Sequence, residues 1–88
     1  MDRIKTFKKI MEKSETNLVS ILTNHYQITG TVFDCEECNK DGFINLTNAS
    51  LCTVNEIYET RCEDFSENRY DWIHINIDKI VAFSFLKD

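Results

Sequence analysis

Four cysteines are the first residues whose spacing suggests chemistry. Cys35-x-x-Cys38 has the separation of half a zinc site, and Cys52 and Cys62 supply the number needed to complete one. The second pair, however, is separated by nine residues, whereas four-cysteine sites usually repeat a tight pair. No strand-then-helix pattern surrounds Cys35 to suggest a thioredoxin-like redox motif. Free thiols are the default in a reducing cytosol, with a structural metal and a disulfide as the alternatives. The reading therefore assigns no metal and no cofactor.

The other reactive residue types are scattered. His25 falls at a turn and His74 on a strand face beside Trp72, where packing or an interface explains them better than a ligand role. Glu36, Glu37, Glu63 and Asp64 have no partner that would make them acids or bases, and no arrangement of Ser, His and Asp suggests a nucleophile. The chain reads as non-catalytic. Asp41-Gly42-Phe43-Ile44-Asn45 is by residue type a hairpin turn followed by the first buried residue of a strand.

Charge divides the chain. The 88 residues carry a formal net charge of −5, which argues against coating nucleic acid with a basic surface. Residues 1–13 hold Arg3, Lys5, Lys8, Lys9 and Lys13 against Asp2 and Glu12, a net of +3, so the remaining 75 residues sum to −8. Such a segment is either an electrostatic handle or the solvated face of a helix. No apolar run is long enough to cross a bilayer, and Met1-Asp2-Arg3-Ile4-Lys5 lacks the apolar core of a signal peptide. The expected location is cytoplasmic, with no membrane partner.

The elements that must position these residues follow from periodicity. Ile4, Phe7, Ile10 and Met11 recur at helical spacing over 2–14, with Asp2 as N-cap. Strands are predicted at Leu18–Thr23, Gln27–Cys35, Phe43–Val54, Trp72–Ile77 and Ile80–Phe85. Asn24-His25 is a turn, Glu36–Gly42 a loop or flared hairpin end, and 55–69 the longest loop or hairpin tip. In the fourth strand Ile73, Ile75 and Ile77 share one side, and Trp72, His74 and Asn76 the other. The predicted fold class is mainly β, one domain over 1–88: a helical segment at 1–15, then a five-stranded, strongly bent antiparallel barrel at 17–86. Gly30 within the second strand permits the bend.

Ile28-Thr29-Gly30-Thr31-Val32 and Asp41-Gly42-Phe43-Ile44-Asn45-Leu46, in this order of elements, resemble the first motif of the Sm/Lsm family, which includes bacterial Hfq. In the family the motif is roughly apolar-x-Gly-x-apolar followed by Asp-x-x-Met-Asn-Leu, so Ile44 stands for the methionine. The chain departs from the family in two places. Cys35–Lys40 looks like an insertion. The second motif, usually Ile-Arg-Gly-x-x-Ile/Val, appears only as Ile75-Asn76-Ile77-Asp78-Lys79-Ile80, with Asn76 in place of the base-stacking arginine and Ile77 in place of the glycine. The Hfq version, Tyr-Lys-His, is absent as well.

The resemblance implies a ring that binds single-stranded RNA. It assigns base stacking to Phe43, base-edge hydrogen bonds to Asn45, and the holding of that asparagine to Asp41, roles that suit the way splayed bases are read. Asn76 takes the place of the second motif's contact, and Lys5 and Lys9, with Lys8 and Lys13, would add salt-sensitive contacts to phosphates. It also implies a homo-oligomer of six or seven subunits, joined strand four to strand five, here Tyr70–Ile77 to Lys79–Leu86. Val81 or Phe83 would lie close to the interface, so proline at Val81 is expected to break the ring. Two alternatives stay open: an Sm-like ring that scaffolds protein assembly without base recognition, and a small domain stabilised by metal on the four cysteines.

Overall fold

The computed structural model describes residues 2–54, 60–61 and 69–87. A helix, α1 (Arg3–Ser14), precedes β1 (Leu18–Leu22), β2 (Tyr26–Phe33), a short helix α2 (Glu36–Lys40), β3 (Phe43–Val54), β4 (Thr60–Arg61), β5 (Arg69–Asn76) and β6 (Ala82–Phe85). A 3-10 turn at Ile77–Lys79 joins the last two strands. This is the expected helix followed by an antiparallel sheet, with β4 as a two-residue addition. The loop expected over Glu36–Gly42 instead contains α2, and most of the segment 55–69 lies outside the described residues.

All pairings are antiparallel, and the sheet runs β4-β3-β2-β1-β6, with β5 also on β3. β5 lies opposite Phe43–Ser50 and β4 opposite Thr53 and Val54, so the two cover successive stretches of one edge of β3. Among the described residues β5 pairs only with β3 and β6 only with β1. Each therefore leaves one row of backbone groups unpaired among the described residues.

Alternation explains the core. Val19 and Ile21 of β1, Ile28 of β2, Ile44 and Leu46 of β3 and Ile75 of β5 all turn to one side and are buried. In β3 this phase is interrupted. Asn48 adopts φ 50°, and the β2–β3 register slips by one residue between Thr29 and Thr31, so Ala49 follows Leu46 into the core. Gly30 sits at this slip and is itself buried.

α1 closes one side of the sheet. The Asp2 carboxylate accepts from the backbone N–H groups of Ile4 and Lys5 at 3.1 and 3.2 Å, the expected N-cap. Phe7, 2% exposed, packs its ring 4.8 Å from Phe83 and 5.1 Å from Phe85. These two aromatics of β6 are thus partly covered within the chain, whereas Ile10, expected in the helix's apolar stripe, is left exposed.

Candidate nucleic-acid interface

Residues 41–46, from the first Sm-like motif, and 75–80, in the place of the second, meet at one end of the β3–β5 ladder. Gly42, at φ 85°, turns the chain into β3, and its carbonyl accepts from the Ile77 N–H at 2.9 Å. The register then sets Phe43 opposite Asn76, Asn45 opposite His74 and Thr47 opposite Trp72. Strand alternation puts these six on one face, while Ile44, Leu46, Ile73 and Ile75 take the other.

Exposure differs sharply among them. Phe43 is 37% exposed, leaving part of its ring available for stacking, whereas Asn45 is 3% exposed. Asn45 Oδ1 is hydrogen-bonded to His74 Nδ1, which carries the proton for this amide orientation. The Asn45 side chain also favours the charged form of the Cys38 thiol. Asp41, to which the resemblance gave the holding of Asn45, is exposed and caps the end of α2. Asn76 is exposed, and its Oδ1 accepts from the Asp78 N–H at 2.9 Å. His74 was visible in the sequence as a strand-face residue, but its pairing with Asn45 depends on a register that the long 55–68 connection hides.

The same face continues outward to two residues without a sequence-assigned binding role. Phe33 lies opposite Asn45 across β2–β3, and its ring meets that of Trp72 edge-on at 5.1 Å. Both are 52% exposed.

The lysines of α1 are not equivalent. Lys5 and Lys9 are exposed and four residues apart, on one stripe of the helix, with Lys13 continuing it. Lys8 is committed to Asp34 at 2.9 Å, and that hydrogen bond holds the Asp34 carboxyl below its ordinary range. Near the start of α1, Arg3 pairs with Asp78 at 3.5 Å, beside a polar groove of about 510 Å³ that reaches Asn39, Lys40, Gly42 and Ile77.

The cysteines divide in a way the sequence did not indicate. Cys52 is buried on β3 and disulfide-bonded, which removes it from the set of plain thiols and from the four-cysteine metal alternative. Cys62 lies outside the described residues. Cys35 and Cys38 are free and half-buried, and Cys35 caps the short helix α2 directly after β2, so a strand-then-helix setting does surround it. Local periodicity could not reveal a helix of five residues.

No protein-family model matches the chain, and no curated protein matches it in sequence. Among solved structures, the Sm protein of Pyrococcus abyssii, determined in complex with a uridine heptamer, is similar with a TM-score of 0.57 and 15% sequence identity. The match spans 88% of this chain and 93% of that one. With the helix, the antiparallel sheet and its strand order, this establishes an Sm-like fold.

Proposed function

We propose that the chain binds single-stranded RNA as an Sm-like ring, without catalysis. The observation that carries this reading is the juxtaposition of Phe43 and Asn76 across β3–β5, with Asn45 and His74 as the next pair on the same face. It brings an exposed aromatic and amide side chains from two distant segments to one end of the sheet, the combination that reads unstacked bases. Lys5 and Lys9 supply positive charge otherwise scarce on a chain of net −5. The second motif is divergent and differs from that of Hfq. With Asn76 where an arginine would stack, Phe43 becomes the main stacking platform.

The ring, of six or seven subunits, would join β5 of one subunit to β6 of the next. Unpaired edges on both strands support it. The Val81 N–H, however, already donates to the Leu22 carbonyl of its own chain at 2.8 Å, so proline at Val81 probes the subunit's own sheet. The edge of β5 is the better place to test assembly.

One observation favours the scaffold reading, a ring without base recognition: Asn45 is buried and its Oδ1 is taken by His74. Fluorescence anisotropy with oligo(U) and oligo(A) at two salt concentrations separates the two. RNA recognition requires measurable binding by the wild type and a loss of about 1–3 kcal/mol in Phe43→Ala, the usual worth of one stacked base. Absence of binding at low salt, with the ring intact by light scattering, selects the scaffold.

A further inference from the structure

The proposed function assigns no role to Cys35 and Cys38, yet they are built as a pair. The Cys38 backbone N–H donates to Cys35 Sγ at 3.3 Å, and each thiol influences the ionisation of the other. Both are half-buried, and α2 contributes no buried residue to the core. Cys35 is the N-cap, with extended backbone, and Cys38 lies in the first turn, so the hydrogen bond from the Cys38 N–H brings the two residues together. Closing the pair asks only for a local adjustment in a turn that anchors no core packing. Cys52 is already disulfide-bonded and offers no competing thiol.

We propose that Cys35 and Cys38 form a redox-active dithiol that exchanges with low-molecular-weight disulfides, Cys35 attacking first and Cys38 resolving. The Cys35 thiolate attacks one sulfur of the small disulfide, forming a mixed disulfide at Cys35 and expelling one small thiolate. Cys38 then loses its proton to solvent and attacks Cys35 Sγ, closing the Cys35–Cys38 bond and expelling the second small thiol. Two protein thiols are oxidised, and one small disulfide is reduced to two thiols.

The order of attack follows from the hydrogen bonds. The Cys38 thiol and the Cys38 and Glu37 backbone N–H groups all favour negative charge on Cys35, whose thiol is pushed below its ordinary range. Cys38, as the donor to Cys35, is pushed the other way. Asn45 favours the charged form of Cys38, so closure of the disulfide removes a titrating group from the surroundings of the asparagine that pairs with His74.

The test is peptide mapping of the wild-type protein after incubation across ratios of reduced to oxidised glutathione. Cleavage after Lys13 and Lys40 yields one peptide that carries Cys35 and Cys38 without Cys52. The expected product lacks two hydrogen atoms relative to the dithiol peptide and returns to it on reduction. Cys38→Ser should trap a stable glutathione adduct at Cys35, formed several-fold faster than the adduct at Cys38 in Cys35→Ser. Wild-type protein that accumulates only mixed disulfides, or variants that react at equal rates, would overturn the proposal. The wild-type mapping decides the matter even if a variant folds poorly.

Discussion

Replacing Gly30 by alanine tests the close approach of β2 to β3 at their register slip. A Cβ at this position would lie 3.1 Å from each of Ala49 Cα, Ala49 Cβ and the Thr47 carbonyl oxygen. Carbon atoms rest at about 3.5–4.0 Å, so β2 and β3 must part by a few tenths of an ångström at their register slip. Ala49 Cα and the Thr47 oxygen are backbone, and no change of rotamer relieves them. Overpacking of a buried site costs about 1–3 kcal/mol, while the loss of glycine's freedom in the unfolded chain offsets about 0.4–1 kcal/mol, leaving a net loss of about 1–2 kcal/mol. For a domain of this size that is a fall in Tm of roughly 4–15 °C. Urea and thermal denaturation followed by Trp72 fluorescence, at matched protein concentration, would measure it. Ala49→Gly removes the Ala49 Cβ from this clash and should restore part of the stability when combined with Gly30→Ala. Gly42→Ala is the control: it meets nothing within 4 Å and carries only the strain of φ 85°, so its cost should be independent of Ala49. Full stability in Gly30→Ala, or simple additivity with Ala49→Gly, would refute the reasoning.

Neutralising Lys5 and Lys9 to glutamine should reduce the salt slope of RNA binding by about 0.7 for each phosphate that a lysine no longer neutralises. An unchanged slope in titrations from low to moderate salt would make these lysines a solvated face. Lys8→Met should let the Asp34 carboxyl titrate closer to its ordinary range, as read by NMR. Because Asp34 is depressed in the folded state, the small contribution of the pair is present above the unfolded carboxyl value and disappears as pH falls through the folded one. Equal titration curves in wild type and variant would contradict it. Ile77 donates to Gly42, so in the alternating antiparallel pattern Ile75 and Ile73 also donate to β3, and the N–H groups of Trp72 and His74 face the open edge. Trp72→Pro should therefore dissociate the assembly while sparing the β3–β5 ladder, and Val81→Pro should instead lower the stability of the subunit. Light scattering paired with thermal melts distinguishes these outcomes, and an intact oligomer in Trp72→Pro would exclude β5 as the joining edge.

Much of the architecture was legible in the sequence because it is local. A helical stripe with an aspartate before it identifies α1 and its cap, and the alternation of Ile73 and Ile75 with Trp72 and His74 identifies β5 and its two faces. Segments resembling the Sm signature around Gly30, Asp41 and Asn45 pointed to the same fold class, since the succession of helix and strands along the chain can be read from local periodicity. What needed the tertiary structure is whatever depends on two distant segments meeting. The register that sets Phe43 against Asn76 and Asn45 against His74 spans a connection whose length no periodicity encodes. The slip at Gly30 exists only because Asn48 and Ala49 lie across from it, and the commitment of Lys8 to Asp34 arises only when α1 docks. The burial of Asn45 is decided in the same way: an asparagine on the face opposite the core reads as exposed until the register brings His74 beside it, supplying the hydrogen bond that makes its burial tolerable.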